Sequence, residues 1–254
     1  MPPILRIQGL TKDFRGIHAL SRVDLNLKCY EILGVIGPNG AGKTTLLNLI
    51  TGLTQPTQGR ILFLEREITR AAPEVVARLG IGRTFQNIRL FGAMSVLNNV
   101  VVAQQMHTRS NPVAVLLSLP GFLQQEKQLQ EKAMALLASF GLDRFRDLPA
   151  ASLPYGSQRR LEIARALALE PRLLLLDEPT VGMNPSESQE LLELILQLHK
   201  QYQLSIILVA HDMRLVMGLC QRIQVLNQGE TIAVGNPDEV RSMPVVIEAY
   251  LGSN

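Results

Sequence analysis

The chain has no apolar run long enough to cross a bilayer. A membrane-spanning helix needs about 18–20 consecutive apolar residues, and the nearest approach, Pro112 to Leu123, is interrupted by Ser118 and carries two prolines. If the protein serves a membrane, it does so through a partner. Cysteine is scarce too: Cys29 and Cys220 lie far apart, without metal-ligand spacing and without a secretory signal before them. That excludes a disulfide framework and a cysteine metal site, and predicts two reduced core thiols in a cytoplasmic protein. Nor is there a block of charge. A net +3 over 254 residues, with the basic residues scattered, gives no footprint for nucleic acid. What the chain does have is core material, 46% hydrophobic residues, ample for one large domain or a core domain with a smaller insert.

One stretch organises the rest. Gly37 to Thr45 reads G-P-N-G-A-G-K-T-T and fits G-x-x-x-x-G-K-[ST] through Gly37, Gly42, Lys43 and Thr44, directly after the apolar run Ile32 to Ile36. The expectation is a strand running into a phosphate loop and then a helix. Gly37, Gly40 and Gly42 let the backbone turn and approach an anion, so that successive N–H groups converge on a phosphate at the helix start. The nucleotide-binding set is then Gly37, Pro38, Asn39, Gly40, Ala41, Gly42, Lys43, Thr44 and Thr45. Lys43 is expected at the β- and γ-phosphates, and the Thr44 hydroxyl on Mg2+.

The second informative stretch is Leu173 to Thr180, four leucines followed by Asp177, Glu178, Pro179 and Thr180. Four apolar residues make a strand buried on both faces, as in a parallel sheet, with two carboxylates at the end where ligands bind in such folds. Asp177 is expected to hold Mg2+ through water, and Glu178 to orient and deprotonate the attacking water. The plainer alternative, a solvated acidic turn, loses ground beside a phosphate loop.

The remaining segments supply fold and further candidates. Ile4 to Leu10 and Val23 to Leu27 alternate apolar with polar residues and predict an N-terminal antiparallel sheet. Between them Phe14 falls in the polar turn Lys12 to Gly16, where it can stack on a purine, with Arg15 alongside, or simply pack locally. Gly59 to Leu64 reads as a strand and Pro73 to Leu79 as a short helix. A β-type run ends at Gln86, whose amide can reach a metal or water or can be an ordinary loop residue. From about Asn87 to Ala168 the periods are helical, with Leu129, Ala133, Leu136, Leu137 and Phe140 on one face, and with Pro112, Pro120-Gly121 and Pro149 as breaks. Asn184-Pro185-Ser186-Glu187 is a capped helix start. Leu204 to Val209 predicts another buried strand ending at His211, which can bond a γ-phosphate or be structural. A hairpin turning at Asn227 to Glu230 and short C-terminal helices complete the chain.

Together these residues resemble a family. The order of phosphate loop, Arg83-Thr84-Phe85-Gln86, Leu153-Pro154-Tyr155-Gly156-Ser157-Gln158, Asp177-Glu178-Pro179-Thr180 and His211 resembles the nucleotide-binding subunit of ATP-binding cassette (ABC) transporters, over nearly the whole chain. Arg83 to Leu97, Tyr155 to Arg165, His211 to Gly218 and Ala249 to Gly252 are similar to the LivG-type ATPases of branched-chain or neutral amino-acid importers. The resemblance implies an α/β P-loop NTPase fold over residues 4–254. It divides them into a mixed-sheet core with an antiparallel β part over 4–86 and 169–254, and a helical subdomain over 87–168. It implies ATP and Mg2+, with Phe14 on adenine, the loop on phosphates, Thr44, Gln86 and Asp177 at the metal, and Lys43, Gln86, Glu178 and His211 in hydrolysis. Pro154, Tyr155, Gly156, Ser157 and Gln158 form the signature that would meet a partner's ATP. The implied partners are a second cassette, a paralogous chain or another copy, transmembrane permease subunits, and indirectly a solute-binding protein, at the cytoplasmic face of the membrane. Two departures stand out: Pro154 in place of the signature serine, and Asn184 where many cassettes carry aspartate.

Two other classes are weighed against this. A soluble cassette ATPase working on DNA or ribosomes would carry a long coiled-coil insert or a second cassette, and a P-loop kinase or GTPase would need an acceptor pocket or a guanine-reading Asn-Lys-x-Asp; neither feature occurs. Within transport, an importer of urea or short amides is the alternative to amino acids.

Overall fold

The structure, a computed structural model, describes residues 2–107, 120–210 and 213–251. Strands β1 (Leu5–Phe14) and β2 (Ile17–Leu27) form an antiparallel hairpin. Arg15 and Gly16 turn it with φ of 47° and 92°, the paired left-handed geometry whose twist suits a two-residue connection. The polar turn expected from Lys12 to Gly16 is therefore shorter. β1 runs on through Lys12, Asp13 and Phe14, and pairs Phe14 with Ile17.

Strand β3 (Ile32–Ile36) leads into helix α1 (Lys43–Ile50). There follow β4 (Gln58–Phe63), β5 (Arg66–Glu67), α2 (Pro73–Arg78) and β6 (Ile81–Arg83). Among the described residues from Asn87 to Ala168 there is no strand: the helices are α3 (Val96–Gln104), α4 (Pro120–Ser139) and α5 (Tyr155–Leu167), with short 3-10 turns at Asp143–Phe145 and Ala150–Ser152 between the last two. Pro120 opens α4, where its missing N–H costs nothing. Gly141 follows that helix at φ 66°, while Pro112 and the apolar run Val113 to Leu117 lie outside the described residues. Ala133, Leu136 and Leu137 of α4, with Phe140 just beyond its end, share a buried cluster with Val96, Val100 and Val101 of α3.

Strand β7 (Leu173–Asp177), helix α6 (Pro185–Tyr202), strand β8 (Ser205–Val209) and helix α7 (Met213–Leu219) precede the hairpin β9 (Arg222–Asn227) and β10 (Glu230–Gly235). Helices α8 (Pro237–Ser242) and α9 (Pro244–Leu251) end the described chain. The sheets are ordered β2-β1-β4-β5 and β10-β9-β3-β8-β7-β6. The first is antiparallel, and the second is parallel from β9 to β6 with β10 added antiparallel at its edge.

Alternation splits the parallel strands between two cores. Ile32, Leu174, Leu176, Ile206 and Leu208 face one side of the sheet, and Leu33, Val35, Leu173, Leu175 and Ile207 the other. A strand buried on both faces needs the unbroken apolar runs that the sequence has. Cys220 is buried, but Cys29 is only half-buried rather than in the core, because it sits in the turn before β3. Among the described residues no helix is long and apolar enough to cross a membrane.

Candidate active site

Because β3, β6, β7 and β8 are parallel, their C-terminal ends share one edge, and the segments that follow them meet there. Gly37 leaves β3 with its backbone pressed on β9: a Cβ at this position would stand 2.0 Å from the Leu226 carbonyl oxygen. Gly42 opens α1 at φ 100°, and no side chain caps that helix. The N–H groups of its first turn are thus left to a ligand, an anion by their polarity. Lys43 is 5% exposed, and its Nζ donates to the Gly37 and Pro38 carbonyls at 2.7 and 2.8 Å. Burial pulls this ammonium below its ordinary pKa, against Glu178 and Asp177, which push it back up. An incoming phosphate would add the counter-charge that burial withholds. A cleft of about 290 Å³ opens here, lined by Asn39, Gly40, Thr44, Thr45, Gln86 and Glu178 among others.

Across the cleft, Glu178 follows β7 in the left-handed region at φ 50°, a conformation costing roughly 1–2 kcal/mol for a residue with a Cβ. Its N–H donates to Val209 O at 2.9 Å, which holds it beside β8. Gln86 Nε2 donates to Glu178 Oε2 at 3.1 Å. Asp177, buried, accepts from Arg83 Nη2 at 3.0 Å through Oδ2, while its Oδ1 is buried with no hydrogen-bond partner. A carboxylate oxygen so placed calls for a ligand. Thr44 and Gln86, which line the cleft, carry oxygen donors of the hard type that Mg2+ takes. Among the described residues no three or more His, Cys, Asp or Glu side chains form a metal cage.

Arg83, which the sequence offers only as the first residue of a family-like motif, has a structural role. Its Nη1 donates to Asn48 Oδ1 and Thr51 Oγ1 at 2.8 and 3.1 Å, so one guanidinium ties α1 to β6 and β7. The only sequence signal was a cation closing a buried strand, which must find a counter-ion when the strand is buried. Phe14 is 45% exposed with Lys12, in place of the expected Arg15, over its ring at 4.7 Å. Ala19 rather than Phe14 lines the cleft. His211 lies outside the described residues.

Residues 20–181 match the family described as ABC transporter, and residues 230–254 match the branched-chain amino acid ATP-binding cassette transporter family. The chain is 44% identical over 250 residues to the high-affinity branched-chain amino acid transport ATP-binding protein LivG of Salmonella typhimurium, covering 98% of each. It belongs to the ABC transporter family. Among solved ABC cassettes, the ADP conformation of MJ1267 superposes with a TM-score of 0.86 at 30% identity, covering 99% of this chain and 100% of that one. The dimeric structure of MJ0796, a bacterial ABC transporter cassette, superposes with a TM-score of 0.79 at 26% identity, covering 92% and 98%.

None of Pro154, Tyr155, Gly156, Ser157 and Gln158, the segment that resembles the family signature, lines this cleft. Pro154 precedes α5 with φ −55° and ψ 151° and offers no side-chain cap. Gln158 Nε2 donates back to Leu153 O at 2.8 Å, and Tyr155 is exposed. The start of α5 therefore has no side-chain cap, and the Gln158 N–H turns back to the Pro154 carbonyl.

Proposed function

We propose that this chain is the ATP-hydrolysing subunit of an importer for branched-chain amino acids, acting peripherally at the cytoplasmic face of the membrane. The observation that carries the hydrolytic part is the Gln86–Glu178 contact at 3.1 Å beside buried Lys43, at the mouth of an uncapped helix. Amides of the phosphate loop and Lys43 bind the β- and γ-phosphates of ATP. Glu178, held by its strained backbone at the strand edge, takes the proton of the attacking water at its carboxylate, and Gln86 orients that water. Thr44, Gln86 and Asp177 would hold Mg2+, which when bound neutralises charge on the phosphate oxygens. His211, which follows β8, is assigned to the γ-phosphate from sequence.

Dimeric association of the kind in MJ0796 supports pairing with a second cassette, a paralogue or another copy, whose ATP would meet Pro154–Gln158. With no hydroxyl and no N–H at Pro154, that contact would rest on the backbone dipole of α5. Amino-acid import rather than another solute is favoured by the match of residues 230–254 and the likeness to LivG.

The test is paired hydrolysis and uptake. In a strain deleted for the chain, the wild-type gene should restore uptake of labelled leucine. Glu178→Gln should keep ATP binding but lower hydrolysis by roughly 10²–10⁴ and abolish uptake. Hydrolysis within threefold of wild type would remove Glu178 from its role, and restored hydrolysis without leucine uptake would point to another solute such as urea or a short amide.

A further inference from the structure

Behind the signature turn, α5 carries a buried ion pair for which phosphate binding gives no reason. The Arg159 and Glu162 side chains are 0% and 1% exposed and meet at 2.7 Å. Removing two charges from water costs more than their attraction returns unless hydrogen bonds occupy their other donors and acceptors. Here most of those bonds converge on one loop, and of the pair's atoms Arg159 Nε alone is buried without a partner. Arg159 Nη1 donates to Phe85 O at 2.6 Å, and Nη2 donates to Gln86 O at 2.8 Å and to the Tyr155 hydroxyl at 3.3 Å. Glu162 Oε1 accepts the Phe85 and Arg89 N–H groups at 3.2 and 3.3 Å. The loop from Phe85 to Arg89 belongs to no helix or strand, so these bonds take the place of a sheet ladder. The Arg89 guanidinium adds a lid over the Phe85 ring at 4.1 Å.

We propose that Arg159 and Glu162 are positioning residues that set this loop, and with it the Gln86 side chain, against Glu178. The planar fork of arginine spans two successive carbonyls, which a point-charge ammonium does not. The carboxylate takes the N–H groups on either side of the glutamine. The helix that begins at the signature turn thereby holds the water-orienting amide of its own chain. This rests on the reading of Gln86 and Glu178 as hydrolytic residues.

The test compares steady-state ATP hydrolysis and thermal unfolding of the full chain with those of Arg159→Met/Glu162→Leu, which removes both charges together, and of Arg159→Lys. Both variants should lower kcat at least tenfold and change KM for ATP less than threefold, because the phosphate loop keeps its own contacts. Adding Gln86→Ala to the double variant should bring no further loss. A folded double variant with kcat within threefold of wild type, while Gln86→Ala alone is impaired, would overturn the proposal. Should the double variant fail to unfold cooperatively, Arg159→Lys carries the same readout, since it keeps the charge pair and loses only the fork. Wild-type kcat in Gln86→Ala alone would remove the hydrolytic role of Gln86, and this proposal with it.

Discussion

Cys220 sits where α7 meets the strand that launches the phosphate loop: a Cβ on Gly34 of β3 would stand 3.1 Å from its Sγ and 2.7 Å from Val216 Cγ1. Burial pushes this thiol up to about 12. At pH 8 the thiolate fraction is then roughly 10⁻⁴, against about a quarter for a free cysteine. Native alkylation at pH 8 should label Cys29, which is half-buried, and spare Cys220 until the chain is unfolded. Rapid native labelling of Cys220 would contradict this packing. The linkage sign follows. Above the ordinary thiol pKa the unfolded chain releases this proton while the folded chain keeps it, so folding stability is lost progressively as pH rises toward 12. Urea midpoints should accordingly fall between about pH 9 and 12, and the fall should shrink in Cys220→Ala.

At the scale of elements, α6 shows what the Asn184 departure does. Asn184 Oδ1 accepts the Glu187 N–H at 2.9 Å, and Glu187 Oε2 accepts the Asn184 N–H at 3.0 Å. This reciprocal cap starts the helix that buries Leu191, Ile195 and Leu198. Asparagine caps as well as aspartate does, so the local fold loses nothing by the exchange. Asn184→Ala should cost about 1 kcal/mol, lowering the unfolding midpoint by roughly 2–4 °C, whereas Asn184→Asp should leave it within a degree or so. An unchanged midpoint in Asn184→Ala would mean that α6 is held by its apolar stripe alone.

On the scale of the whole molecule, helices α3 and α5 and the chain around α2 and β6 enclose a groove of about 360 Å³, lined by Leu53, Val76, Phe85, Phe91, Met106 and Arg165 among others. Phe91, which lines it, and Met94, nearby in sequence, are exposed, while Ile88 and Leu90 are partly buried. The Arg165 guanidinium lies 5.5 Å from the Phe91 ring centroid, and burial pulls its pKa down, against Glu162, which raises it. A half-buried cation beside exposed aromatic surface suits an amphipathic segment of another protein, and a permease is the partner that the proposed function requires. Phe91→Asp should leave ATP hydrolysis by the isolated chain within threefold of wild type, while co-purification with the permease and leucine uptake both fall at least tenfold. Undiminished uptake would put the docking surface elsewhere.

Local structure was legible in the sequence because its determinants are local. The Gly37 to Thr45 spacing, the leucine run ending in Asp177 and Glu178, and the Asn184 cap each follow from backbone geometry over a few residues. The unbroken apolar strands likewise predict a sheet buried on both faces. What pairs with what came only from the tertiary structure. Strand order brings Arg83 to Asp177 across 94 positions of sequence, and the Arg159–Glu162 pair to the loop around Gln86. A buried charge is neutralised by whichever partner the packing delivers, and no periodicity in the chain names that partner. The same reason governs Phe14, where the hairpin turn is confined to Arg15 and Gly16 and Lys12 lies over the ring. Spacing along the chain determines which groups are available, and packing decides which of them touch.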